Sequence, residues 1–263
     1  MNKKVLQLLS LLLALSLVFT LAACSPGAET EETTTTEPAV ISKSPRPDSV
    51  LKVIDYFNKL AADVKKDKPA VSPDISQDVG DFECENDIIK AYVPTLKKEM
   101  LKSDAKSSAF GEDAKDTFPL LGKTETSVVL PSAVRYAQCL ETAKTYEIII
   151  PYKDEANAAP FTSGHGLAFD MADLAAVKQE FDKAKAYMTV DFENLDLLYT
   201  GSQIKCSVDK ATDRIISVTY SLNVLVKTAV TGIGTLEAVG TVPVSFRYSR
   251  NATYNLDWAK PEA

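Results

Sequence analysis

Ile216-Ser217-Val218-Thr219-Tyr220-Ser221-Leu222-Asn223-Val224-Leu225-Val226-Lys227 carries the clearest alternation in the chain. Ile216, Val218, Tyr220, Leu222, Val224 and Val226 occupy every second position, and Ser217, Thr219, Ser221, Asn223 and Lys227 stand between them. Side chains of an extended chain point alternately to opposite faces, so this spacing predicts a strand with one apolar and one wetted face. One-sided strands belong to antiparallel sheets. A second run repeats the pattern through Leu236, Ala238, Val242, Val244, Phe246 and Tyr248, with Tyr254, Leu256 and Trp258 closing it. Lys210-Ala211-Thr212-Asp213 and Thr231-Gly232-Ile233-Gly234 read as the connecting turns. Shorter alternations cover Tyr146–Ile150, Ala186–Phe192 and Ile204–Val208. Strands longer than the usual five or six residues must coil, and Gly240 and Pro243 offer places to bend.

Upstream the apolar period becomes helical. Val50, Val53, Ile54, Phe57, Leu60, Ala61 and Val64 recur at three- and four-residue spacing after a capping Asp48 or Ser49. A second helix is expected over Asp87–Leu101, with Pro94 inside it, and a third near Asp170–Lys185, carried by Leu174, Val177 and Phe181. The expected class is therefore α+β: a long, curved, mostly antiparallel, half-barrel-like sheet with two or three helices on its apolar face. Strand and helix alternate too little for a doubly wound parallel fold.

The chain's first residues carry a different message. Met1–Lys4 is short and positive, Val5–Phe19 is apolar, and Leu21-Ala22-Ala23-Cys24 follows. This is the plan of a secretory signal, 1–23, too short for a convincing spanning helix. The tetrapeptide resembles the bacterial lipobox. That resemblance implies cleavage after Ala23, a diacylglycerol thioether on Cys24, and a cell-membrane location on the extracytoplasmic side. Cys24 is then both a modified residue and a membrane anchor. Ser25–Pro47 is rich in Thr, Glu, Pro and Ser and lacks the apolar mass to fold. Residues 24–47 read as a lipidated tether, with a relaxed reach of about 25–30 Å, and 48–263 as one domain.

This order of anchor, tether, early helix and long antiparallel strands resembles extracytoplasmic lipoproteins with a half-barrel fold, some of which carry lipids or lipidated cargo. The segment Tyr199-Thr200-Gly201-Ser202-Gln203-Ile204-Lys205-Cys206-Ser207-Val208-Asp209, followed by Thr212-Asp213, is similar to lipoproteins of Gram-positive, clostridia-like bacteria. That likeness implies a source and no activity.

Charge and composition exclude other classes. The 263 residues are 45% hydrophobic and carry 29 basic against 36 acidic side chains, and losing Lys3 and Lys4 with the signal leaves 27 against 36, a net of −9. Such a chain has no bulk charge for nucleic acid. His165 is the only histidine, which excludes two-histidine metal motifs. It sits between Gly164 and Gly166 in an irregular stretch, and reads as a solvated histidine at a mobile loop tip. The rival reading, a base for a serine or cysteine nucleophile, lacks a nucleophile elbow. Gly232-Ile233-Gly234 precedes no helix and fails as a dinucleotide loop. Asp78, Asp81, Glu83, Glu85 and Asp87 form an acidic patch without calcium-loop spacing. No cofactor is expected. Cys84, Cys139 and Cys206 remain beside Cys24 and permit one bridge, for which Cys139–Cys206 is preferred because both read as strand residues; buried free thiols are the alternative.

The functional expectation is a non-catalytic, membrane-anchored lipoprotein that binds or presents a hydrophobic ligand such as a lipid. The apolar space between the helices and the two longest strands would be the ligand site. The alternative is an envelope protein-interaction module using the polar sheet face or an edge, and an enzyme centred on His165 ranks third.

Overall fold

The computed structural model describes residues 40–101, 105–113, 117–121, 125–171, 174–182 and 187–260. The signal segment, Cys24 and the tether as far as residue 39 lie outside them.

Helix α1, Val50–Asp67, is the expected one. Ser49 caps it by accepting from the Lys52 amide, and Lys65 and Lys66 occupy the last turn. Val53, Ile54, Phe57, Leu60, Ala61 and Val64 are buried on one side. The chain turns at Lys68 into strand β1, Ala70–Glu83, and then into α2, Asp87–Met100, whose Asn86 side chain accepts from the amides of Ile88 and Ile89. Two short strands, β2 (Leu120–Leu121) and β3 (Glu125–Thr126), pair with each other. Then come β4 (Gln138–Glu141), β5 (Thr145–Pro151), β6 (Glu155–Ala156), the short helix α3 (Gly164–Ala168) and α4 (Leu174–Asp182). Strands β7 (Met188–Val190), β8 (Asp196–Tyr199), β9 (Gln203–Asp209), β10 (Arg214–Gly232) and β11 (Thr241–Asp257) complete the chain.

Among the described residues one nine-stranded sheet dominates, with a main order β1-β11-β10-β9-β5-β4, and its pairings are antiparallel. Strand β10, 19 residues long, is its spine. β11 runs along one side of it, while β9, β8 and β7 pair in series along the other. At roughly 3.3 Å per residue β10 spans about 60 Å. That length creates two territories on one face. Over the first, α1 packs on the inward side chains of β5, β9, β10 and β11, and Phe57, Tyr146, Ile148, Tyr220 and Tyr254 share one core. Over the second, a smaller cluster joins Cys84, Ile89, Met188, Val230, Val242 and Val244.

The molecule is thus mostly β, not an even mixture of helix and strand, because two segments are more extended than their patterns suggest. In β1 the inward positions are Val71, Pro73, Ile75, Gln77 and Val79, so a proline and a glutamine interrupt the alternation. Pro73 is tolerable because β1 is an edge strand and can spare an amide donor. β11 runs unbroken from Val242 through Leu256, joining runs that look separate in sequence. Conversely, Leu236 and Ala238 belong to a 3-10 turn, Gly234–Val239, and not to a strand. Gly240 ends that turn at φ +65°, a conformation that L side chains rarely adopt.

A register shift between Ile215 and Ser217 reverses the expected facing of one residue. Ile215 is fully buried and Ile216 is 41% exposed, as a bulge requires when it adds one residue to a two-residue period. The boundary at Asp48 also moves. Residues 40–47 belong to the folded unit: the Lys43 amide donates to the Lys210 carbonyl at 2.7 Å, the Tyr146 hydroxyl to the Ser44 carbonyl at 3.0 Å, and Ser44 binds the Asp213 carboxylate. Composition alone misses this because polar anchoring needs partners supplied from far along the chain.

The expected Cys139–Cys206 bridge is absent, and all three described cysteines are free and buried. Cys139 pairs with Ile148 across β4–β5, and Ile148 pairs with Cys206 across β5–β9. One whole strand separates the two thiols. Two strand spacings of about 4.8 Å exceed the roughly 7 Å limit on Cα separation for a disulfide. Being on strands is therefore what keeps them apart.

Candidate functional site

The inward row of β10 continues past Leu222 and Val224 to Val226, Thr228 and Val230, and that of β11 runs from Val242 through Phe246 and Tyr248 to Arg250. Val226, Thr228, Phe246 and Tyr248 are only partly buried although they face the same way as the core. The reason is a cavity of about 350 Å³ between the two clusters. Its floor is this stretch of sheet. Helix α2 contributes Ile89, Val93 and Lys97, spaced four apart along one face, and α4 contributes Leu174 and Val177. Met188 and Val190 of β7, Phe192, Leu195, and Leu197 and Tyr199 of β8 form a further wall. Phe82 closes one edge by stacking on Phe246, ring centroids 6.3 Å apart.

Among the described lining residues, only Gln77, Lys97, Asp170, Thr228 and Arg250 are neither apolar nor aromatic. Two of these are already committed: the Gln77 side-chain oxygen accepts from the Tyr248 hydroxyl at 2.7 Å, and Thr228 donates to the Asp191 carbonyl at 2.6 Å. Arg250 and Asp170 form an ion pair at 3.1 Å. A volume of this size lies within the range of small-molecule sites, whose walls are mostly apolar with a few placed polar groups.

His165 is not a solvated residue. Its side chain is 1% exposed and packs among Tyr152, Phe169 and Tyr199, with ring centroids 5.2–5.5 Å away. Helix α3 holds it there, capped by Ser163, whose hydroxyl accepts from the Gly166 amide at 2.9 Å. The flanking glycines serve close packing and not mobility: a Cβ on Gly166 would stand 1.9 Å from the Ala159 carbonyl oxygen. Glu155 Oε2 lies 2.8 Å from both the His165 amide and Nδ1, so Nδ1 carries the proton and the tautomer is set. Nε2 is buried without a hydrogen-bond partner, and among the described residues no serine or cysteine is placed to use it as a base.

Burial depresses the His165 pKa below its ordinary 6.5, and this outweighs Glu155, whose hydrogen bond and charge pull the other way. The unfolded chain therefore takes up a proton first. Stability tied to His165 is fully present above pH 6.5 and falls as the pH drops below it. Glu155, held low by the His165 amide and ring, loses its share only further down, below the ordinary carboxylate value of 4.5. Urea unfolding between pH 7 and 5 is expected to show a downward slope that His165→Gln flattens. Equal slopes in the two proteins would place His165 in a hydrated site.

The acidic patch disperses along β1 and its end. Asp81 pairs with Arg247 at 3.2 Å and Glu83 accepts from Ser245 at 3.0 Å. Among the described residues no three metal-ligating side chains converge. Compared with protein-family models, with curated proteins and with solved structures, the chain matches none.

Proposed function

We propose that this chain is a non-catalytic binding protein that takes a hydrophobic ligand, such as a lipid acyl chain, into the cavity between α2, α4 and the long strands. Lipid on Cys24 holds it on the outer side of a cell membrane, and the residues between Cys24 and the folded unit let the domain reach its ligand. The observation that carries this reading is the 350 Å³ of apolar-walled space left between two packed clusters. Close-packed interiors rarely leave voids larger than a water molecule, and covering apolar wall with a chain returns about 25 cal/mol per Å² removed from water.

Native mass spectrometry after gentle purification tests it. The wild-type protein is expected to carry a lipid-sized adduct. Val226→Trp, which fills the space from a half-buried floor position, is expected to lose that adduct while unfolding at a similar urea concentration. A clean apo mass for the wild type, or an undiminished adduct on the folded variant, overturns the reading.

A further inference from the structure

We infer that the ligand is a single-chain amphiphile with an anionic head, a carboxylate or a phosphate, and that Arg250 receives that head. The inference rests on the reading of the cavity as a hydrophobic site. Arg250 stands where β11's alternation calls for an apolar residue, between inward-facing Tyr248 and Ala252, and opposite Leu222 on β10 and Gln77 on β1. Its side chain is 15% exposed, whereas that of its partner Asp170 is 59% exposed. The cation thus sits inward and its counter-charge outward. A guanidinium drawn so far from water is costly unless an anion matches it, and its planar fork suits a carboxylate or phosphate better than any neutral head.

The charge balance points the same way. The whole chain carries a net −7, yet among the described residues the cavity wall holds Arg250 and Lys97 against Asp170. The described part of the wall is thus net positive inside an acidic protein. Asp170 is mostly hydrated, so exchanging it for a ligand's anion gives up little. The incoming anion forms its pair in drier surroundings, where charge-assisted hydrogen bonds are worth more than neutral ones.

Native mass spectrometry of the full-length protein, released from a non-ionic detergent and titrated with laurate, dodecyl phosphate and 1-dodecanol, tests this. At least one of the two anionic probes is expected to bind at one site about tenfold or more tighter than the alcohol. Which of the two binds tighter distinguishes a carboxylate head from a phosphate. Arg250→Gln is expected to abolish the preference, so that this probe binds no tighter than 1-dodecanol does to the same variant. Asp170→Asn, a milder change at an exposed side chain, is expected to tighten the same probe several-fold. If all three probes bind wild type equally, or if folded Arg250→Gln keeps the anion preference, the head assignment fails and the hydrophobic reading stands. If none of the three binds, both fail.

Discussion

Replacing Cys24 by serine is expected to move the protein from the membrane to the soluble fraction and to abolish incorporation of labelled palmitate. Alkylation by a diacylglycerol donor needs a thiolate, and a serine hydroxyl at the same place is far too weakly acidic to supply one. The energetic consequence is large. Each buried methylene contributes about 0.8 kcal/mol, and one myristoyl chain alone gives only marginal binding near 10⁴ M⁻¹. Two chains on one residue convert marginal association into stable anchorage, so losing both removes many orders of magnitude. The polypeptide beyond residue 23 has little to substitute: its 27 basic against 36 acidic side chains leave it acidic, and that charge repels anionic lipid surfaces. Carbonate-washed membranes probed for the wild type and for Cys24→Ser give the readout. A serine variant that stays equally membrane-bound would end the anchoring proposal and the location with it.

The two-residue period from Val218 to Val226 made the spine of the sheet legible, and the helical period from Val53 to Val64 made α1 legible, because in each the apolar side chains keep to one face. Legibility failed where the environment changes along one element. β1 offers Pro73 and Gln77 to the inward face, since it is an edge strand that reaches the cavity. Ile215 and Ile216 exchange faces at a bulge that no local pattern marks. The pairing of the cysteines depended on strand order, and strand order is set by long-range contacts: Cys139 and Cys206 are both strand residues, yet β5 lies between them. His165 illustrates the same limit. Glycines on both sides suggested exposure, but here they permit close packing of α3, and Glu155, ten residues earlier, supplies the partner. Of the candidate site, the strands forming its floor could be read in advance. Arg250 could not be singled out: it falls among Arg247, Ser249 and Asn251, and only the β11 register shows that it faces inward.

Phe57→Ala is expected to be the most damaging single truncation, costing about 3–5 kcal/mol. Phe57 is fully buried in α1, one turn from Ile54, Leu60 and Ala61, within the core shared with the sheet. Its removal leaves a void that rigid strands on one side and a helix on the other cannot collapse into. Against a total stability of about 5–15 kcal/mol, and about 2–4 °C of Tm per kcal/mol for a chain of this size, melting should fall by roughly 6–20 °C. The contrast with Phe246→Ala makes the measurement informative. Phe246 is also a phenylalanine on the inward face of the sheet, but it borders the cavity and is only partly buried. Its truncation enlarges a space that already exists, so the loss should be less than half that of Phe57→Ala in ligand-free protein. Urea denaturation of both variants reads the difference directly. Equal losses would mean that the space beside Phe246 is as tightly filled as the core under α1, and the binding site proposed there would have no room for a ligand.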